Sequence, residues 1–87
     1  MDFEFDPSKS AANQAKHGID FLAAQALWRD MDRIEIPARS GGEPRVQVIG
    51  LIGATVWSAF VTIREDRIRI ISVRRARHEE EDAYYNS

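Results

Sequence analysis

The sequence predicts a two-layer α+β fold. A short N-terminal strand and a helical pair come first, the pair packs on a four-stranded antiparallel sheet, and a short C-terminal helix closes the chain. Three observations predict it. Apolar residues recur at helical spacing before Asp30, and the period switches to two after Asp32. The later runs are joined by connections too short for crossovers, which makes consecutive strands antiparallel neighbours. With 87 residues and no repeat or long linker, residues 1–87 are expected to form a single domain.

Asp2-Phe3-Glu4-Phe5 alternates polar and apolar residues and reads as a short strand. Asp6-Pro7 supplies an N-cap acceptor and a proline at the first helical position, where its missing N–H costs nothing. The helix then runs from Ser8 to His17 and stops at Gly18, with Ala11, Ala12 and Ala15 as a narrow apolar stripe expected to meet a neighbour. Asp20 caps a second helix to about Asp30, with Phe21, Ala24, Leu27 and Trp28 on one face. Arg33 to Ile36 alternates and is expected to stop at Pro37, before the Ser40-Gly41-Gly42-Glu43-Pro44 stretch, the most flexible connection in the sequence. Arg45–Ile52, Val56–Arg64 and Arg67–Val73 follow as strands, with Glu65-Asp66 as a tight turn, and Ala76–Tyr85 reads as a helix with acids in its first half.

Composition narrows the function classes. Hydrophobic residues are 44% and charged residues 30%, which is globular rather than disordered. No apolar run reaches the ~18 residues of a membrane span, and the acidic start does not resemble a secretory leader, so the expectation is a cytoplasmic protein that does not enter a membrane. The absence of cysteine removes disulfides, thiolate metal sites and cysteine nucleophiles. The net charge of −2 hides a gradient. Residues 1–43 carry five basic and eight acidic groups, residues 44–78 seven arginines against two acids, and residues 79–87 four acids. A basic strip of this kind attracts a phosphate chain, although solvated arginines on strand faces give the same pattern.

The block Phe3-Glu4-Phe5-Asp6-Pro7-Ser8-Lys9, followed by Asn13, Lys16-His17-Gly18-Ile19, Phe21 and Ala24, resembles the opening motif of the BrnT toxin family. Arg67-Ile68-Arg69-Ile70-Ile71-Ser72-Val73-Arg74-Arg75-Ala76, with Glu80 and Tyr84, resembles that family's ending, and Thr62 with Arg64 its T-x-R. Two departures stand out: Phe5 where the family usually has tryptophan, and Met31 where it commonly has proline. The resemblance implies a ribonuclease toxin of a type II toxin–antitoxin system with a RelE-like fold. It also implies a BrnA-like antitoxin with a ribbon-helix-helix region, joined in a heterotetramer that reaches promoter DNA only through the antitoxin.

Metal-independent RNA cleavage needs deprotonation of the 2′-hydroxyl, stabilisation of the attacked phosphate and protonation of the 5′-oxygen. No metal-ligand motif is present and no cofactor is expected. The candidate catalytic residues are His17, Arg64, Arg74, Glu80 and Tyr84, and the candidate RNA contacts are Lys9, Lys16, Arg69 and Arg75. Guanidinium groups suit phosphate because they fork onto its oxygens and stay charged. Unbroken alternation on the last strand would put Ile68, Ile70, Ser72 and Arg74 on one side, and Arg67, Arg69, Ile71, Val73 and Arg75 on the other. The isoleucine side should meet the helices, pushing Arg74 to the rim and leaving Arg69 and Arg75 on the open face.

His17, in a last helical turn, fits an acid or plain helix-ending chemistry. Lys9 and Asn13, four apart, fit phosphate contact or the seating of the first helix. Glu80 and Tyr84 read equally as proton handling with base stacking, or as a salt bridge with a packed aromatic. Trp28 and Trp57 read as core or interface, and His78 as solvent-exposed. The acids from Glu79 to Asp82 either neutralise Arg74, Arg75 and Arg77 or leave that task to an antitoxin, for which an open sheet edge is a ready surface. The rival to an enzyme is a non-catalytic antitoxin-binding module that acts only as a co-regulator on DNA.

Overall fold

The computed structural model describes every residue except Met1, Gly41 and Gly42, and leaves out the side chains of Arg39, Ser40 and Glu43. Of the Ser40–Pro44 connection expected to be the most flexible, Gly41 and Gly42 lie outside the described residues, while Ser40 ends β2 and Glu43-Pro44 opens β3 as its paired neighbour. Five strands are formed: β1 (Asp2–Glu4), β2 (Ile34–Ser40), β3 (Glu43–Ile52), β4 (Thr55–Arg64) and β5 (Arg67–Arg75). Helix α1 (Pro7–His17) and the short α2 (Phe21–Ala24) lie between β1 and β2, and α3 (His78–Tyr85) ends the chain.

The α+β class stands, and the sheet needs a correction. It has five strands in the order β1-β5-β4-β3-β2 and is mixed, because β1 joins β5 in parallel with Phe3 opposite Ile68. No turn announces a pairing between the two ends of a chain, so alternation alone exposes only the hairpin neighbours. β2 also runs through Pro37, opposite Val46, to Ser40. An edge strand tolerates proline because its outer side has no neighbour to receive an N–H. The second helix keeps its α form for a single turn and tightens into a 3₁₀ segment, Gln25–Arg29.

The N-terminal helix follows its caps. Asp6 accepts from the Ser8 N–H, Pro7 opens the helix, and Gly18 ends it at φ 79°, a conformation that glycine adopts without a Cβ penalty. Its buried side is not the expected alanine stripe: Ala11, Ala12 and Ala15 are exposed, while Ser10 and Asn13 are buried. Both polar side chains find partners. Ser10 Oγ accepts from the Phe21 N–H; the Asn13 amide donates to the carbonyls of Ile19 and Val73 and accepts from the Val73 N–H. β1 pairs with β5 only as far as Arg69, and the Asn13 amide takes the place of a strand neighbour four residues further on.

The main core lies between the sheet and the helices. Ile19, Phe21, Ala24 and Leu27 pack on Val48, Ala59, Val61, Ile68, Ile70 and Val73, with Trp28 and Trp57 partly buried against them. Gly50 admits the 3₁₀ segment, since a Cβ there would lie 3.1 Å from Leu27 Cδ2 and 3.2 Å from Arg33 Cβ. On the opposite face α3 forms a smaller cluster from Ile49, Val56 and Tyr84. Among the described residues no other helix lies on that face.

Candidate functional site

One irregularity decides which arginines share a face. Phe60 pairs with Ser72, but Val61 pairs with Ile70, so Ile71 is an extra residue in β5. A bulge shifts side-chain parity by one. Before it Ile68 and Ile70 point to the helices, and after it Val73 does. Arg69 and Arg74 therefore share the face opposite α2 and the main core, across from Thr62 and Ser58, with α3 beside Arg74. Arg75 turns to the helix side, with its guanidinium carbon 6.0 Å from the Trp57 ring centroid. Unbroken alternation had exchanged Arg74 and Arg75, because the sequence Ile70-Ile71 does not show which isoleucine is the extra one.

Three rows of side chains build the open face. Nearest α3 are Ile34, Ile49, Ser58 and Arg74; next come Ile36, Gln47, Phe60 and Ser72. In the third, Ala38 pairs with Arg45 and Thr62 with Arg69, and Arg45 lies opposite Thr62 one step beyond the Val46–Val61 pair. Arg64 and Arg67 continue the strip to the β4–β5 turn, where both are exposed.

Glu80 organises the first row. Its carboxylate takes a two-pronged bond from Arg74, Nη1 to Oε1 at 2.8 Å and Nη2 to Oε2 at 2.9 Å. It also accepts from the Arg77 N–H at 2.8 Å, closing the first turn of α3, and from Gln47 Nε2 at 2.7 Å. The same Gln47 nitrogen donates to Ser58 Oγ. The Arg74 fork holds the Glu80 carboxyl at about 2, against the opposing pull of burial and with help from Arg77 and Gln47. Its bond to Glu80 raises the Arg74 pKa in turn. Arg74 keeps one side toward Phe60, 5.4 Å from the ring centroid. The described ion pairs are Arg33–Glu35, Arg74–Glu80 and His78–Asp82, so among the described residues Arg45 and Arg69 face no carboxylate within 4.0 Å.

The other sequence-derived candidates lie off the arginine rows. Lys9, Lys16 and His17 ride on α1, which lies along the outer edge of β5 where Asn13 bonds the Val73 backbone. Tyr84 is buried on α3, and its hydroxyl donates to Asp30 Oδ2 at 2.6 Å, a bond that raises the phenol to about 12. Burial works to raise the Asp30 pKa, but the bonds from Tyr84, the Leu51 N–H and the Asp32 N–H, with the Arg33 charge, lower it. His78 is exposed beside Asp82, 3.3 Å away. Of the acidic run, Glu80 pairs with Arg74, while Arg77 contributes its backbone N–H. Arg45, Gln47 and Phe60 are additions that the sequence reading lacked. Their signal is parity: Phe60 shares a strand side with Ser58 and Thr62, an unusual place for a ring meant for a core.

Fold and face together define a small α+β protein whose mixed sheet carries helices on one side and a guanidinium strip on the other. The family model described as "Ribonuclease toxin, BrnT, of type II toxin-antitoxin system" matches residues 5–80. The chain belongs to this family of ribonuclease toxins. No curated protein matches it. No helix is long and apolar enough to cross a membrane, and among the described residues no trio of ligating side chains forms a metal cluster.

Proposed function

We propose that this protein is an endoribonuclease that cleaves single-stranded RNA on the open face of its sheet without a metal ion. One observation carries the reading: the Ile71 bulge turns Arg69 and Arg74 to the same face, which α3 covers only at one end. Arg74 is the group that stabilises the attacked phosphate, because guanidinium forks onto two oxygens and keeps its charge. Glu80 fixes the Arg74 fork in the free protein and serves as the base. A phosphate that draws Arg74 away weakens the bond that keeps Glu80 acidic, so the carboxylate gains basicity as substrate arrives. It then takes the 2′-hydroxyl proton, and solvent supplies the proton to the 5′-oxygen. Arg69 and Arg45 hold neighbouring phosphates, and Arg64 extends the strip. In this reading His17, Lys9, Lys16 and Arg75 do not touch the scissile phosphate, and Tyr84 anchors α3.

A type II toxin acts with an antitoxin. The partner in our reading is a BrnA-like ribbon-helix-helix protein that silences the toxin in the cytoplasm, within a heterotetramer that contacts promoter DNA through the antitoxin.

Purified protein incubated with single-stranded RNA in excess EDTA tests the reading. Cleavage is expected to persist and to leave 2′,3′-cyclic phosphate ends, and Arg74→Ala should slow it about 10²- to 10³-fold. RNA left intact by the wild type would favour the non-catalytic co-regulator.

A further inference from the structure

Phe60 stands in the middle of the open face, partly exposed, and its ring packs in neither hydrophobic cluster. Its neighbours along β4 on that face are the small residues Ser58 and Thr62. The space over Ser58 is filled by Gln47, Arg74 and Glu80. The space over Thr62 is flanked by Arg45 and Arg69 from the adjacent strands. Two polar atoms at this spot are buried without a hydrogen-bond partner, Thr62 Oγ1 and Arg45 Nε. Thr62 as a whole is 3% exposed. Buried polar groups in a folded protein are normally satisfied, and two orphans on facing strand positions call for a partner that the free protein does not supply.

We propose that Phe60, Thr62, Arg45 and Arg69 form a nucleotide subsite one step along the sheet from Arg74. An unpaired base stacks on the Phe60 ring alongside the Arg74 guanidinium, its phosphate lies between Arg45 and Arg69, and the Arg45 and Thr62 side chains turn to present Nε and Oγ1, which lie below the surface in the free protein. Aromatic stacking flanked by cations is how proteins hold single strands with tolerance for sequence. The proposal rests on the reading that RNA uses this face, and it adds that the base, as well as the phosphate, is gripped.

The probes are two fluorescent octamers that cannot be cleaved: 2′-O-methyl oligouridine, and its counterpart with the bases removed. With wild-type protein the base-bearing octamer should bind about tenfold more tightly. Phe60→Leu keeps an apolar side chain and should close that gap; Phe60→Tyr should restore it. Arg69→Ala should weaken both octamers alike and reduce the salt dependence of binding. Equal binding of the two octamers by the wild type, or a gap untouched by Phe60→Leu, overturns the subsite. Binding with the expected gap but no cleavage of ordinary RNA supports the subsite and overturns the nuclease reading. No binding of either octamer overturns both.

Discussion

The two faces of the sheet are built from the same strands and are spent on different ends. On the helix side, alternate residues from Val48 to Val73 meet Phe21, Ala24 and Leu27 in a closed apolar layer. On the other side α3 covers only Ile49, Val56 and their neighbours, and the remaining rows carry Arg45, Phe60, Arg69 and Arg74. Strand periodicity lets one chain do both, since burial fixes one parity and leaves the other free. The lesson lies at Ile71: one extra residue moves Arg74 from one set to the other without disturbing the layer beneath.

Substitutions can break this division. The largest effect is expected on the helix side. Leu27 is fully buried, and Leu27→Ala should cost about 3–5 kcal/mol in urea unfolding, enough to unfold much of a chain this small. A cost below about 1 kcal/mol would mean that the helix layer does not hold the sheet.

Next comes acid. Glu80 titrates at about 2 in the folded protein against an ordinary 4.5. A depressed carboxyl stabilises the fold fully above its unfolded value, and that contribution is lost as pH falls from 4.5 toward 2. The shift corresponds to about 3–4 kcal/mol at 1.36 kcal/mol per pH unit, a ceiling that solvent screening of this part-exposed pair brings down to about 1–2 kcal/mol. Unfolding followed between pH 5 and 2 should show the loss in the wild type and a flatter curve in Glu80→Gln. Identical curves would remove the Arg74–Glu80 pair from the account of how α3 is fastened to the open face.

The smallest effect belongs to the turn joining β4 and β5. Glu65 and Asp66 hold φ at 50° and 67°, the left-handed pair of a type I′ hairpin, where glycine and asparagine are at ease and glutamate is strained. Glu65→Asn should raise stability by about 0.5–1 kcal/mol, read as a rise in Tm, and leave cleavage unchanged. A fall in Tm would show that the turn is held by something other than backbone preference.

How much was legible follows from the kind of signal each feature leaves. Asp6-Pro7 and Gly18 bracket α1 because caps are local chemistry. The hairpin order of β2 to β5 shows in alternation and short turns. Features that depend on distant partners were hidden. Asn13 is buried because its amide meets Val73, sixty residues away, and nothing near Asn13 announces it. β1 finds β5 only in three dimensions. The arginine-rich last strand was visible, but its facing depended on a bulge concealed within Ile70-Ile71. Phe60 and Arg45 were overlooked for the converse reason, that a ring and a lone cation in a strand resemble core and rim until the rows are assembled.

The borders of the sheet bear on how the molecule meets copies of itself. Flat, unprotected strand edges template aggregation, and proteins blunt them with brevity or proline. Here one border is the three-residue β1 and the other is β2, which carries Pro37. A newly synthesised chain waiting for its antitoxin thus offers little purchase to a second copy, and a partner that lengthens the sheet along β2 must forgo the bond at Pro37.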